Sequence, residues 1–144
     1  AATTYTAASG INLSGNSMLA YVWTPIRGYS AFGSYTGNGS ADGPFIYTGF
    51  RPAFVLIKST TQGWDWFIWD TTRDINNPSN QVLKPSSAQN ETDASSPVQA
   101  IDILSNGFKP RGNNQVNQPN QTQLWAAFAE NPFGAENVSP ANAR

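Results

Sequence analysis

Four aspartates, Asp65, Asp70, Asp74 and Asp102, are the residues best suited to acid–base chemistry in this sequence. Histidine and cysteine are both absent, which excludes Ser-His-Asp and Cys-His nucleophiles and zinc sites with those ligands. Glycoside hydrolysis needs two carboxylates roughly 5–10 Å apart around the bond. The expected strand places Asp65 and Asp70 on opposite faces, which disfavours that pair, and Asp70 and Asp74 could equally pair with Arg73 or cap turns. The sequence therefore predicts no catalytic residue.

Oxygen-bearing side chains also cluster at Asp70, Asp74, Asn76 and Asn77, and Ca²⁺ binds oxygen ligands of this kind. Their spacing does not match the EF-hand pattern. Ordinary turn chemistry of asparagine and aspartate explains the cluster more simply. The sequence thus predicts neither a metal ion nor another cofactor.

Tryptophan offers a different chemistry, because an indole ring can stack on the apolar C–H face of a sugar while nearby amides bind its hydroxyl groups. The alternative is that the tryptophans, Trp23 included, fill a core or a subunit interface, since each can bury ~150–250 Å². The long polar stretches 74–97 and 113–121 are further places to look for recognition, with a solvated loop as the alternative. The candidate ligand-binding residues are Trp64, Trp66, Trp69, Trp125, Asn76 and Asn77.

Only 12% of the residues are charged and the net charge is −1, so no basic field draws nucleic acid or an anionic membrane. No apolar run approaches the ~20 residues of a membrane-spanning helix. We therefore expect neither nucleic-acid partners nor membrane insertion. The chain begins at Ala1, which fits either removal of an initiator methionine or a piece of a longer chain.

The elements that must position these residues are short apolar runs separated by Gly, Pro and Asn, a pattern typical of strands and turns. Residues 53–59 (AFVLIKS) are apolar on both alternating faces, which predicts a central strand covered on both sides. Residues 99–104 and 108–111 form a predicted hairpin, and 123–130 favours strand over helix. The other expected strands are 18–24, 29–36, 45–48 and 64–71, with a short edge strand at Val82-Leu83.

These eight or nine short strands predict an all-β antiparallel sandwich, jelly-roll or concanavalin-like, with no long helix. The expected organisation is an N-terminal arm or loop at 1–16, a sandwich domain at 17–133 and a tail at 134–144.

Several runs together resemble a domain of phage tail and fibre proteins. They are GYSAFGSYTGNGS at 28–40, YTGFRPAFV at 47–55, IDILSNGFK at 101–109 and AFAENPF at 127–133. The closing Ala143-Arg144 resembles the carboxyl terminus of that group. The resemblance covers about 20–133 and implies a lectin-like virion β-sandwich, without established catalytic or binding residues.

Three functional hypotheses follow. The first is a virion structural protein, a tail-fibre or receptor-binding module on the particle surface. Its partners would be other virion proteins, copies of itself in a homo-oligomer, and a host surface that could present a glycan. The second is a capsid decoration or head-fibre protein with a purely structural role. The third is a polysaccharide depolymerase that uses Asp65, Asp70 or Asp102.

Overall fold

The computed structural model describes residues 17, 20–89, 91–93 and 99–132. Within this part, the chain forms nine strands and no helix. The strands are β1 (Ser30–Thr36), β2 (Ile46–Tyr47), β3 (Pro52–Ser59), β4 (Phe67–Asp70), β5 (Gln81–Val82), β6 (Thr92–Asp93), β7 (Ile101–Leu104), β8 (Gly107–Pro110) and β9 (Thr122–Ala129). The predicted arm at 1–16 and tail at 134–144 lie outside the described residues.

The strands form antiparallel sheets with the orders β1-β9-β3-β4, β2-β8-β7 and β5-β6. The sequence prediction of an all-β antiparallel sandwich is confirmed. β3 is central, between β9 and β4, as its apolar run indicated. The hairpin of β7 and β8 and the strand character of 123–130 are also confirmed.

One face of the four-stranded sheet packs against the three-stranded sheet and forms the core. This inner face carries the odd-numbered residues of β1, β3, β4 and β9, because the register aligns Val55 with both Trp69 and Ala127. Phe108 of β8 meets it through edge-on ring contacts with Tyr35 and Trp125. The fully buried members of this core include Val55, Ile57, Trp69, Val82, Ile101, Phe108, Val116 and Ala127.

Two predicted strands are wrong in part. Residues 20–25 are exposed and belong to no strand; the first pairing is the bridge from Ile26 to Ser30. The Ser30 hydroxyl donates to the Thr24 carbonyl at 3.2 Å, so a side chain takes the place of a neighbouring strand there.

The expected strand 64–71 begins only at Phe67. Before that residue, side chains satisfy the backbone: the Lys58 ammonium donates to the Trp64 carbonyl at 2.5 Å, and the Trp66 amide donates to Ser86 Oγ at 3.0 Å. Asp65 therefore lies outside β4, and the expected placement of Asp65 and Asp70 on one strand is wrong.

Candidate functional site

The second face of the four-stranded sheet, which we call the outer face, carries the even-numbered residues of β1, β3, β4 and β9. Most of these side chains are apolar, as in Phe32, Phe54, Leu56 and Leu124, and they are half-buried or exposed. Strands that are apolar on both sides are normally covered on both sides. Within the described residues only the inner face of this sheet is covered, so the prediction that 53–59 is buried on both sides is wrong for its outer side.

A cleft of about 500 Å³ opens on this face. Trp66 is 43% exposed and Trp23 is 57% exposed, and both indoles contribute to its walls. Among the described residues that line it, the polar side chains are Lys58 and Ser34. A second cleft of about 310 Å³, lined by Leu56, Trp66, Ile68, Pro85 and Ser86, adjoins it. The outer cleft is lined by Trp23, Phe32, Gly33, Ser34, Leu56, Lys58, Trp66, Leu124, Trp125 and Ala126.

A row of aromatic rings continues the cleft across the outer face. Trp23 stacks on Tyr21 with 5.9 Å between ring centroids and on Phe32 with 6.2 Å. Phe128 then makes edge-on contacts with both Phe32 and Phe54 at 5.8 Å. Such ring pairs contribute about 0.5–1.5 kcal/mol each beyond their burial, so the row holds a defined shape while part of it stays in water.

The four tryptophans predicted to bind a ligand do not form one platform. Trp69 is completely buried, so its assignment as a surface ligand residue is wrong; it stands on the inner side of β4, where the alternation of strand side chains directs it into the core. Trp64 and Trp125 are partly buried and pack against that same core. Trp66 alone of the four presents an exposed indole at the cleft.

Asn76 and Asn77 lie in the loop that follows β4, and Asn77 has a structural task. Its side-chain amide donates to the Ile103 carbonyl at 2.8 Å, and its side-chain oxygen accepts from the Ile103 amide at 2.9 Å. This side chain therefore acts as one residue of a neighbouring strand on the edge of β7. The Asn76 amide donates to Asp74 Oδ1 at 3.4 Å.

The four aspartates are engaged locally. Asp70 accepts hydrogen bonds from the Thr72 and Arg73 amides at 3.0 and 2.9 Å and pairs with the Arg73 guanidinium at 2.5 Å. Asp74 accepts from the Asn80 amide at 2.7 Å. The predicted alternative, an Arg73 pair and turn caps, is confirmed for these two residues.

The two remaining candidates bind neighbours elsewhere. Asp102 is buried and pairs with Arg111 at 2.6 Å. Asp65 accepts from Ser86 Oγ at 3.1 Å. Among the described residues, no group of three or more acidic side chains could hold a metal ion.

Among the described residues, two carboxyl groups have shifted pKa values. Burial alone would raise the pKa of Asp70, but the backbone and side-chain hydrogen bonds from Arg73 outweigh it and lower the pKa below the usual range. The hydrogen bond and charge of Lys109, which lies 2.5 Å away, lower the pKa of Asp42. Both shifts arise from ion pairs between loops and strand ends, away from the outer cleft.

The polar stretch 113–121 is held in place by a residue that the sequence did not single out. Asn117 is fully buried; its amide nitrogen donates to the Ser40 carbonyl at 2.7 Å and to Gly112 at 3.0 Å. Its side-chain oxygen accepts from the Asn38 amide at 3.1 Å. Part of this stretch therefore has a structural role, because Asn117 holds it to residues 38–40 by hydrogen bonds. Composition alone does not reveal that role.

The residues of the outer cleft were also missed as a group. Phe32, Leu56 and Leu124 lie on different strands, and only the register brings them together: Ser34 and Lys58 both stand opposite Leu124. The signal in the sequence was the apolar pattern on both sides of residues 53–59, which indicated that the second face of the sheet is also covered. Along the part of the chain that the structure describes, no helix is long and apolar enough to cross a membrane.

No curated protein and no solved structure matches this sequence. A family model does match, over residues 1–132, which is most of the chain. The protein therefore belongs to the DUF7483 family, described as a domain of unknown function.

Proposed function

We propose that this chain is a structural module of a phage virion, a tail-fibre or receptor-binding domain that works by surface contact. One observation carries the proposal: the four-stranded sheet is apolar on both faces, yet within the described residues no other element covers its outer face. Contiguous exposed apolar surface of this kind marks interaction sites in soluble proteins. The resemblance of the sequence to phage tail and fibre domains supplies the setting in which such a contact would be made.

The low charge of the chain supports contact over catalysis. The net charge is −1, and Lys58 is the one charged residue among the described residues that line the outer cleft. Its ammonium group already donates to the Trp64 carbonyl. The cleft thus offers shape and apolar area, which suit binding. Of the aspartates that a depolymerase would use, Asp70 and Asp102 are held in ion pairs and Asp65 accepts a hydrogen bond from Ser86.

The contact partner that fits the cleft best is an apolar surface of another virion protein. A sugar needs hydrogen-bonding groups for its hydroxyls beside the stacking ring, and this cleft supplies few of them. Protein interfaces instead concentrate their binding energy in a few aromatic side chains that lose water on contact. Trp23 and Trp66 have the exposure and position for that role.

The proposal is tested by replacing both indoles, Trp23→Ser with Trp66→Ser, in the gene carried by the phage. Removal of two central aromatic anchors should lower the amount of this protein in purified particles, or on host cells, by at least about tenfold. Tyr47→Ser is the matched control, because Tyr47 is similarly exposed at 52% but lies on the three-stranded sheet. Circular dichroism confirms that each variant is folded.

Imaging the particle supplies the second readout. Density for the domain on a fibre supports the proposal, and density on the capsid surface supports a decoration protein instead. Normal incorporation and normal host binding of the double variant would exclude the outer face as the contact surface. Binding to a glycan panel that is lost in Trp66→Ser would identify a sugar as the partner.

A further inference from the structure

β1 forms one edge of the four-stranded sheet, and half of its backbone groups point away from that sheet. The Gly37 amide donates to the Gln121 carbonyl at 2.9 Å, and the Ala129 amide donates to the Tyr29 carbonyl at 2.8 Å. In an antiparallel ladder, alternate residues exchange these bonds, so the backbone amides and carbonyls of the odd-numbered residues of β1 point towards β9. The even-numbered residues direct their amides and carbonyls outwards.

Ser30 has a partner on this outward side, because it exchanges backbone hydrogen bonds with Ile26 at 2.9 and 3.1 Å. Phe32, Ser34 and Thr36 have no backbone partner there among the described residues. Ser34 and Thr36 are also exposed. Among the described residues, no backbone group pairs with these three alternate positions, so they can accept another strand.

The opposite edge of the same sheet is closed. The Ile68 amide donates to the Leu83 carbonyl at 2.9 Å, and the Leu83 amide donates back at 3.1 Å. Edge strands that must stay unpaired usually carry charges, prolines or bulges. Residues 30–36 contain no charged residue and no proline, and the register of β1 with β9 is unbroken. The sequence of β1 does nothing to prevent pairing.

We propose that β1 pairs with β1 of a second copy of this chain, antiparallel, about a twofold axis at Ser34. In this register Ser34 stands opposite the second copy's Ser34, and Phe32 stands opposite its Thr36. All three free positions of each strand then exchange hydrogen bonds, about six in total. The two four-stranded sheets become one continuous sheet. The inference rests on the proposed role as a contact scaffold and names how two copies meet.

Other antiparallel registers satisfy fewer groups. A twofold axis at Gly33 pairs Phe32 with Ser34 and leaves Thr36 opposite Ser30, whose outward groups already bind Ile26. A register that aligns odd-numbered with even-numbered residues places the free backbone groups of one strand opposite residues whose backbone groups already bond to β9. The axis at Ser34 is thus the register that uses every free group.

The pairing also extends apolar surface. Phe32 and Ser34 line the outer cleft, so the clefts of the two copies lie beside the same axis. An interface made of one strand edge and part of an apolar face buries less than the ~800 Å² per partner of a stable interface. We therefore expect a weak dimer whose population rises with concentration, strengthened when many copies are held together on a particle.

The test uses the absence of cysteine in the native chain. Opposed residues of a hydrogen-bonded pair have Cα atoms about 5.5 Å apart, within the range that a disulfide spans. Ser34→Cys should oxidise to a covalent dimer at least tenfold faster than Ser105→Cys, an exposed control in the turn between β7 and β8. Equal rates for the two variants would overturn the proposal.

A second variant breaks the pairing. Ser34→Pro removes an amide that points away from β9, and proline is tolerated on edge strands in that position. It should keep the fold and abolish the dimer in sedimentation; if it unfolds, Ser34→Lys places two like charges at the axis instead. A wild-type chain that stays monomeric at millimolar concentration refutes the pairing. Incorporation of such a monomer into particles would leave the proposed function standing, so the two failures are distinguishable.

Discussion

The two faces of the four-stranded sheet are built from the same strands and differ in what covers them. On β3, Ile57 is fully buried on the inner face, while its neighbour Leu56 lies half-buried on the outer face. On β9, Ala127 is fully buried and Leu124 is 49% exposed. Both faces carry apolar residues, so composition does not distinguish them. The distinction comes from the three-stranded sheet, which packs on one side only.

This difference separates the two uses of apolar surface. On the inner face, burial of side chains such as Trp69 and Ile57 stabilises the fold, at ~25 cal/mol for each Å² of apolar area removed from water. On the outer face, the same kind of side chain remains partly in water and can release that free energy only on binding. Variants of the inner face should therefore change stability, and variants of the outer face should change binding.

The largest expected effect is that of Trp69→Ala on the inner face. Loss of a fully buried indole costs the transfer free energy of the ring and leaves a cavity, in total about 3–5 kcal/mol. Trp66→Ala removes the same side chain from the outer cleft, where it is 43% exposed, and should cost about 1 kcal/mol or less. Thermal and urea unfolding of both variants measures the difference. Equal losses would contradict the assignment of the two faces.

The sequence predicted the inner face better than the outer one. The strand predicted at 64–71 contains β4, and the two-sided apolar run AFVLIKS (53–59) identified the central strand, because local patterning decides which residues can share a side. It could not show that one side of β3 stays open, since that depends on where the short strands β2, β7 and β8 pack. For the same reason Trp69 was expected to bind a ligand: its residue type suits sugar stacking, but its position in the sheet buries it in the core.

Trp64 and Trp66 illustrate the limit at shorter range. Because side chains alternate along a strand, the expected strand 64–71 would place both on one face. Instead, the Lys58 ammonium and the Ser86 hydroxyl satisfy backbone groups there in place of a neighbouring strand. As a result Trp64 packs against the core and Trp66 lines the cleft. Contacts between residues that are distant in sequence, such as Trp66 with Ser86, cannot be inferred from the period of the apolar pattern.

A second prediction probes the inner side of β1, where Gly33 lies opposite Trp125. A Cβ atom at Gly33 would lie 3.0 Å from the indole of Trp125, so Gly33→Ala forces the ring to move. Overpacking of this kind costs about 1–3 kcal/mol, and the partial exposure of Trp125 favours the lower end.

Gly63→Ala is the matched control for that variant. No atom lies within 4 Å of a Cβ atom at Gly63, so the added methyl group should be neutral or slightly stabilising, by about 0.4–1 kcal/mol. The midpoint of urea unfolding, measured for both variants, compares them. A destabilisation of Gly63→Ala as large as that of Gly33→Ala would show that contact with the indole is not the cause.

A third prediction concerns the outer face alone. Leu124→Ser should change the free energy of unfolding by less than about 1 kcal/mol, because half of this side chain is already in water. It should still reduce the binding of an apolar fluorescent dye, since Leu124 is part of the lining of the outer cleft. Ile75→Ser, at a residue that is 77% exposed and outside the cleft, is the control. Equal dye binding by all three proteins would exclude the cleft as the dye site.

The smallest expected effect is the pH dependence of stability that comes from the Asp70 carboxylate, at the end of β4 on the outer face. Asp70 stands opposite Phe54 on the outer side of β4, and its pKa is lowered on balance by the Arg73 hydrogen bonds. A carboxyl group whose pKa is lower in the folded state stabilises the fold above its unfolded pKa of about 3.9. That stabilisation is lost as the pH falls through the lower, folded value. The melting temperature should therefore fall below about pH 4.

In the core, burial raises the pKa of the Tyr35 phenol, which stays neutral throughout this range. The chain has no histidine, so the melting temperature should change little between pH 6 and 8. Asp70→Asn should flatten the acid limb of the curve and leave the neutral region unchanged. An acid limb that is identical in Asp70→Asn and the wild type would assign the acid sensitivity to other carboxylates, such as Asp42, whose pKa is lowered by the hydrogen bond and charge of Lys109.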